Sequence, residues 1–192
     1  MSPLRWIADK LIARAVRTPY SHLKREDGEI YMYRYWLVPF TTPTQSGPAG
    51  VGPVPWSRPI ARLLQLADIS IRVHHIAGED RDRHMHDHPG AFVSVILRGW
   101  YVERMPLKLT VGMGAHWNGE VEFGRQRMRG QYSVTLKQAY DRHQITLVPE
   151  GGAWTLFIMF RRTNEWGFYT PRGKVPSREY RSTNRITTDG NP

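Results

Sequence analysis

Arg83-His84-Met85-His86-Asp87-His88-Pro89 leads into the run Ala91-Phe92-Val93-Ser94-Val95-Ile96-Leu97. Histidine stands at every second position of the first stretch. Alternate side chains of a β-strand share a face. A regular strand here therefore projects His84, His86 and His88 together. Neutral imidazoles grouped in this way are ligands for a borderline-soft divalent ion. The bland alternative is a solvated, histidine-rich loop. The following proline and apolar strand favour the metal. Asp87 lies between two of the ligands and points to the opposite face. It is expected to support the strand or orient a loop group rather than to bind the ion.

Two histidines make a weak site, so a further ligand is sought downstream, ahead of a strand. Tyr140-Asp141-Arg142-His143-Gln144-Ile145-Thr146-Leu147 supplies His143. Of the other histidines, His74 and His75 sit on a predicted strand, Ile69 to Ile76, and one of them faces inward. His22 and His116 have no partner pattern and are expected at the surface.

Working outward, Arg98-Gly99 reads as a turn. Trp100 to Glu103 begins another strand. Gln131 to Lys137, Gln144 to Val148 and Ala153 to Phe160 are three more, with a tight turn at Pro149-Glu150-Gly151-Gly152. Upstream, Glu29 to Phe40 is rich in aromatic and branched residues. Thr41 to Pro59 is an irregular Pro/Gly loop, a lid candidate. Arg58 to Ala67 is a short helix. Ser2-Pro3 caps an N-terminal helix with a stripe of Leu4, Ile7, Leu11, Ile12 and Ala15, expected to dock on the domain. Short strands with frequent turns argue a barrel or sandwich.

The chain has 192 residues, a net charge of +10 and no cysteine. Disulfides, thiolate ligands and a cysteine nucleophile are excluded, and any ion must be held by nitrogen and oxygen. No apolar run approaches a membrane span, and Met1 to Arg17 lacks the apolar core of a secretory signal. A cytoplasmic location is the expectation. The positive charge suits an acidic partner or simple solubility. Arg125, Arg127 and Arg129 alternate and, with Arg161, Arg162, Arg172 and Lys174, form a candidate phosphate-binding face. A solvated edge is the alternative. No Ser-His-Asp arrangement or phosphate-binding glycine loop is visible.

HDHPGAFVSVILRG (His86 to Gly99), followed by a lone His before a strand, resembles the two-motif pattern of the cupin superfamily. The resemblance covers about Ile69 to Tyr180. It implies an all-β fold: a double-stranded β-helix, jelly-roll-like barrel, here with an N-terminal α-helix. It also implies His86 and His88 as paired ligands, Gly99 as the hairpin glycine and His143 as the distal ligand. The usual cupin glutamate would fall near Phe92 or Val93, neither of which binds metal. A three-His site is similar to the thiol dioxygenase, cysteine dioxygenase-like branch. The chain also looks like uncharacterised phage and bacterial cupin-like proteins with an HDHP motif and a late Trp-Gly-Phe, here Trp166-Gly167-Phe168.

The resulting expectation is one divalent ion per chain, Fe(II) first with Zn or Ni as alternatives. A non-haem iron dioxygenase acting on a small thiol or anionic substrate follows from it. Arg72, Arg98 and Tyr101 are candidate substrate contacts, and His84 a supporting or alternative ligand. Two other readings are a metal-stabilised binding protein without turnover and a basic protein that binds nucleic acid or an acidic partner. The expected organisation is residues 1–67 packed on a metal-binding barrel of 68–180, with a disordered tail at 181–192.

Overall fold

The computed structural model describes residues 2–25, 28–38, 58–80, 84–106 and 124–180. The expected lid loop falls largely outside these residues, and the tail and His116 wholly outside them. Thirteen elements follow in order: α1 (Pro3–Ala15), β1 (Pro19–Lys24), β2 (Ile30–Val38), α2 (Arg58–Leu66), β3 (Ser70–Ile76), β4 (Gly90–Arg98), β5 (Tyr101–Pro106), β6 (Gly124–Arg129), β7 (Val134–Lys137), β8 (Gln144–Leu147), β9 (Ala153–Arg162), β10 (Gly167–Thr170) and β11 (Gly173–Pro176). The all-β class with an N-terminal helix is as expected. The pairing is antiparallel throughout. One sheet has the order β1-β2-β3-β9-β4-β7, a second has β6-β5-β8, and β10-β11 is a separate hairpin. The segment before residue 68 thus contributes two strands to the larger sheet.

Alternation decides which residues meet inside. β4 buries Gly90, Phe92, Ser94 and Ile96, and β9 buries Ala153, Thr155, Phe157 and Met159. Ile76, Ile96 and Ala153 of the large sheet pack on Tyr101 and Ile145 of the small one, closing one end of the space between them. Trp36, Phe92, Phe157 and Met159 form a second cluster. Apolar area removed from water at these contacts holds the two layers together.

On the outer face α1 covers Leu37, Val73 and Leu97 with Ala8, Ile12 and Ala15. Leu4 and Ile7, placed in the apolar stripe by sequence, are exposed. The contact face runs through Ala8, Ile12 and Ala15, one above the other at i, i+4 and i+7, with Leu11 packed beside it. Two turns that cross between the sheets, β4 to β5 and β8 to β9, abut, so the glycine expected in a hairpin stands at a crossing instead: Gly99 has φ +77°, and a Cβ there would lie 2.3 Å from the Gly152 carbonyl oxygen. Only glycine fits that approach. No helix among the described residues is long and apolar enough to cross a membrane.

Candidate metal centre

His86 is not on a continuous strand. It forms isolated bridges with His143 and with Phe168. The His86 N–H donates to the His143 carbonyl and the His143 N–H to the His86 carbonyl, both at 3.0 Å. This reciprocal pair sets His86 beside His143, and their rings lie 5.0 Å apart. The His88 N–H donates to the Ala139 carbonyl at 3.1 Å, anchoring the next ligand position. Among the described residues, ligand atoms of His86, His88 and His143 all lie within 4.8 Å of one another. His88 Nε2 and His143 Nε2 are 2.8 Å apart. One ion with bonds of ~2.0–2.1 Å reaches both nitrogens.

Burial, then the neighbouring His143 and His86, pushes the His88 imidazole well below its usual pKa. It is therefore neutral near pH 7, the state a ligand requires. His143 Nδ1 lies 3.3 Å from Glu103 Oε2. A carboxylate there favours a proton on Nδ1 and leaves the Nε2 lone pair for the ion. Arg129 Nε donates to Glu103 Oε1 at 2.9 Å, Arg129 Nη2 donates to the same oxygen, and Lys137 Nζ is 3.5 Å from it. Burial alone would raise the Glu103 carboxyl. The hydrogen bond from His143, then Lys137 and Arg129, override it and hold the group at about 2. Lys137 itself is lowered by burial, against the pull of Glu103.

On the opposite side of the ligand segment, Asp87 is fully buried. It accepts hydrogen bonds from Gly167 N (2.8 Å), Asn164 Nδ2 (2.9 Å), Tyr169 Oη (3.0 Å) and Lys174 Nζ (2.7 Å). Asn164 Nδ2 also donates to the His88 carbonyl at 2.8 Å. Asp87 thereby ties the hairpin β10–β11 to the segment carrying His86 and His88.

The ligands open on a cavity of about 520 Å³. Phe92, Phe157, Trp166 and Phe168 form its apolar lining near the histidines. Phe92, which stands where the resemblance places a carboxylate, packs against His88 with ring centroids 4.5 Å apart. Two expected contacts, Arg72 and Tyr101, line this cavity. Burial and then Glu103 push the Tyr101 phenol far up, so it stays protonated, and it hydrogen-bonds Ser94.

Arg98 is placed elsewhere. Its Nη2 pairs with Asp9 of α1 at 2.6 Å and more than half of its side chain is exposed. His84 is drawn off the cluster to Tyr180, whose hydroxyl lies 3.0 Å from His84 Nδ1. The strand breaks at His86, so the alternation that would align His84 is lost. His22 lines the cavity and accepts the Arg34 N–H on Nδ1 at 3.1 Å, rather than being a plain surface residue. The basic ridge is also interrupted: Arg125 and Arg127 are exposed, but Arg129 turns inward to Glu103.

Sequence reading missed Glu103, Arg129 and Lys137. The available signal was an acid at every-second-residue spacing from Tyr101, within a strand that follows the Gly99 turn. The inward member of the His74–His75 pair is His74, and Trp166 and Phe168 of the late Trp-Gly-Phe stand at the site.

No protein-family profile and no curated protein matches the chain. Among solved structures, the chain is similar to the DMSP lyase DddQ from Ruegeria pomeroyi DSS-3: 14% identity, 90% of this chain, 72% of that one, TM-score 0.49. It is also similar to a cupin-like protein from Thermotoga maritima MSB8: 13% identity, 79% and 83% coverage, TM-score 0.41. A third is the hydroxypropylphosphonic acid epoxidase from S. wedmorenis: 13% identity, 74% of this chain, TM-score 0.42. The chain spans 55% of the epoxidase chain's length. Likeness at this level decides nothing about chemistry, which rests on the residues themselves.

Proposed function

We propose that this chain is a cupin-type metalloprotein that holds one divalent ion on His86, His88 and His143 and acts on a small molecule in the adjoining cavity. A mononuclear non-haem iron oxygenation is the favoured chemistry, in a cytoplasmic setting. The observation that carries this reading is the convergence of three imidazoles on a cavity, one of them oriented by the buried Glu103. A bound divalent ion supplies a Lewis acid and, as Fe(II), a centre where dioxygen and substrate meet; Zn or Ni are the alternatives. Glu103 holds the His143 ring in one tautomer. Phe92 contributes an apolar wall instead of a fourth ligand, which leaves room beside the histidines. Phe157, Trp166 and Phe168 give the site apolar walls, and protonated Tyr101 is a hydrogen-bond donor at the inner wall.

A binding protein without turnover would be favoured by a mouth closed by Trp100 or Trp154. Trp154 instead stacks on His75 at 4.3 Å on the outer face of the sheet, and neither tryptophan lines the cavity. The test is metal analysis of anaerobically purified protein, followed by oxygen uptake with candidate thiols. His86→Ala, His88→Ala and His143→Ala should each lose most of the metal, and His84→Ala should keep it. Full retention in His143→Ala would remove the distal ligand. Stoichiometric iron with no oxygen uptake on any substrate would favour the binding protein.

A further inference from the structure

Strand β7 is inside out. Its apolar residues, Val134 and Leu136, are 63% and 64% exposed, and its polar ones, Thr135 and Lys137, are buried. A half-buried strand ordinarily turns its apolar set inward. A slip of one residue would exchange the two faces. Lys137 opposes it: the side chain lies 3.5 Å from Glu103 and stands opposite Phe92 of β4. The inward face of β7 therefore serves the buried charges, and the outward face is left apolar.

That outward face does not end with β7. Cross-strand register sets Ile71, Ile158, Val93 and Leu136 in one row over β3, β9, β4 and β7. Val73, Leu156, Val95 and Val134 form the next row. Neither row contains a charged residue. The cluster under α1 takes in Ile71, Val73 and Leu156 but none of the other five. Val93, Val95 and Ile158 are only half-buried, and Phe160, farther along β9, is 37% exposed. Among the described residues β7 pairs only with β4, so it forms the edge of the sheet. Edges are commonly guarded by unpaired charge, proline or a bulge. β7 has no proline and no register shift, and its one charged side chain is already paired.

Charge decides what can cover this face. The chain carries a net charge of +10. A partner drawn by that charge would look for bases, and these rows hold none. Two copies of the chain repel each other wherever the charge lies, so they approach most readily at an uncharged face. A patch that meets itself around a two-fold axis satisfies that condition.

We propose that a second copy of this chain covers the face, with β7 pairing antiparallel to β7 of the copy about a two-fold axis at Thr135. Val134 of each copy then stands beside Leu136 of the other. The two six-stranded sheets join into one, and the apolar rows run on across the junction. Their area is thereby removed from water. The contact does not depend on the metal centre.

The experiment follows the full chain by sedimentation velocity over a micromolar concentration series. The parent should be a dimer that dissociates on dilution. Leu136→Arg sets a cation on each side of the axis and should raise the dimer dissociation constant roughly tenfold or more. Its near-ultraviolet circular dichroism should match the parent, because the side chain is exposed. Val134→Arg gives the same reading if Leu136→Arg misfolds. Met128→Arg, at a similarly exposed apolar position on β6 of the small sheet, should leave the dimer intact. The chain has no cysteine, so Leu136→Cys carries a single thiol. A short bismaleimide should link that variant into a covalent dimer and leave Met128→Cys single. A dimer that neither arginine on β7 weakens, or that Met128→Arg weakens equally, would overturn the assignment. So would a parent that stays monomeric throughout, which would give the face to another occupant such as a foreign protein or a lipid surface.

Discussion

Glu103 and Asp87 are both completely buried acids, and they flank the same histidines from opposite sides. Their surroundings differ in kind. Glu103 is met by two cations and an imidazole, all side chains. Asp87 is met by a backbone N–H, an amide, a phenol and one lysine. The first acid acts on a ring, by fixing which nitrogen of His143 carries the proton. The second acts on the chain, by pinning a hairpin to the ligand segment. Burial of a charge thus says little about its task; the partner atoms decide it.

The contrast breaks most visibly at Glu103. Glu103→Ala strands Arg129 and Lys137 inside the protein, and breaking such a pair costs ~3–5 kcal/mol. Urea denaturation should show that loss, and a near-parental midpoint would refute the electrostatic account. Glu103→Gln keeps the shape but weakens the hold on His143. Its zinc affinity should fall by roughly 10–100-fold, measured by competition with a chromogenic chelator.

Asp87→Asn should cost less, on the order of 1–3 kcal/mol, because an amide oxygen still serves some of the four donors. The loss should appear in the chelator-treated protein too, with zinc affinity far less altered than in Glu103→Gln. Equal affinity losses in the two variants would erase the distinction between them.

His74 provides a buried titratable group outside both acid networks. Burial, then Arg72 and Arg34, lowers its pKa well below 6.5. The unfolded chain takes up a proton on this residue below about pH 6.5 while the folded chain does not, so the group makes stability fall as pH drops below that value. The slope from one such group is at most ~1.4 kcal/mol per pH unit. His74→Phe should flatten the acid limb of a stability profile between pH 7 and 5 by up to that amount. An unchanged slope would show that the imidazole is protonated in the fold. The smallest effect belongs to the surface pair: Arg98→Ala should change stability by only ~0–1 kcal/mol and leave metal content untouched.

Much of this arrangement was legible in the chain. Alternation gave the strands that follow the ligands, β4 and β8, and it put Asp87 on the far face of the ligand segment although no regular strand forms there. Three things resisted. β10 and β11 have four residues each and too little pattern to register. Arg129 sat in a run of alternating arginines that reads as a solvated edge. Its inward turn depends on Glu103, which lies 26 residues away in sequence. His84 was in phase with the ligands, but phase holds only while the strand is regular, and Tyr180 competes for that ring. Local pattern therefore finds first contacts of the site, whereas the buried charges behind them are set by tertiary pairing.

The two nitrogens that meet at 2.8 Å belong to residues 55 positions apart. The chain between them includes β4, β5, β6 and β7. An ion gripped by His88 and His143 would make a closed ring of those four strands, in a protein with no cysteine to make one by other means. Closing loops of this length removes a few kcal/mol of freedom from the unfolded chain, roughly what a disulfide of the same span does. The strands inside that ring could not part fully until the ion let go. The grip of three imidazoles would then set the lifetime of the fold as well as its chemistry.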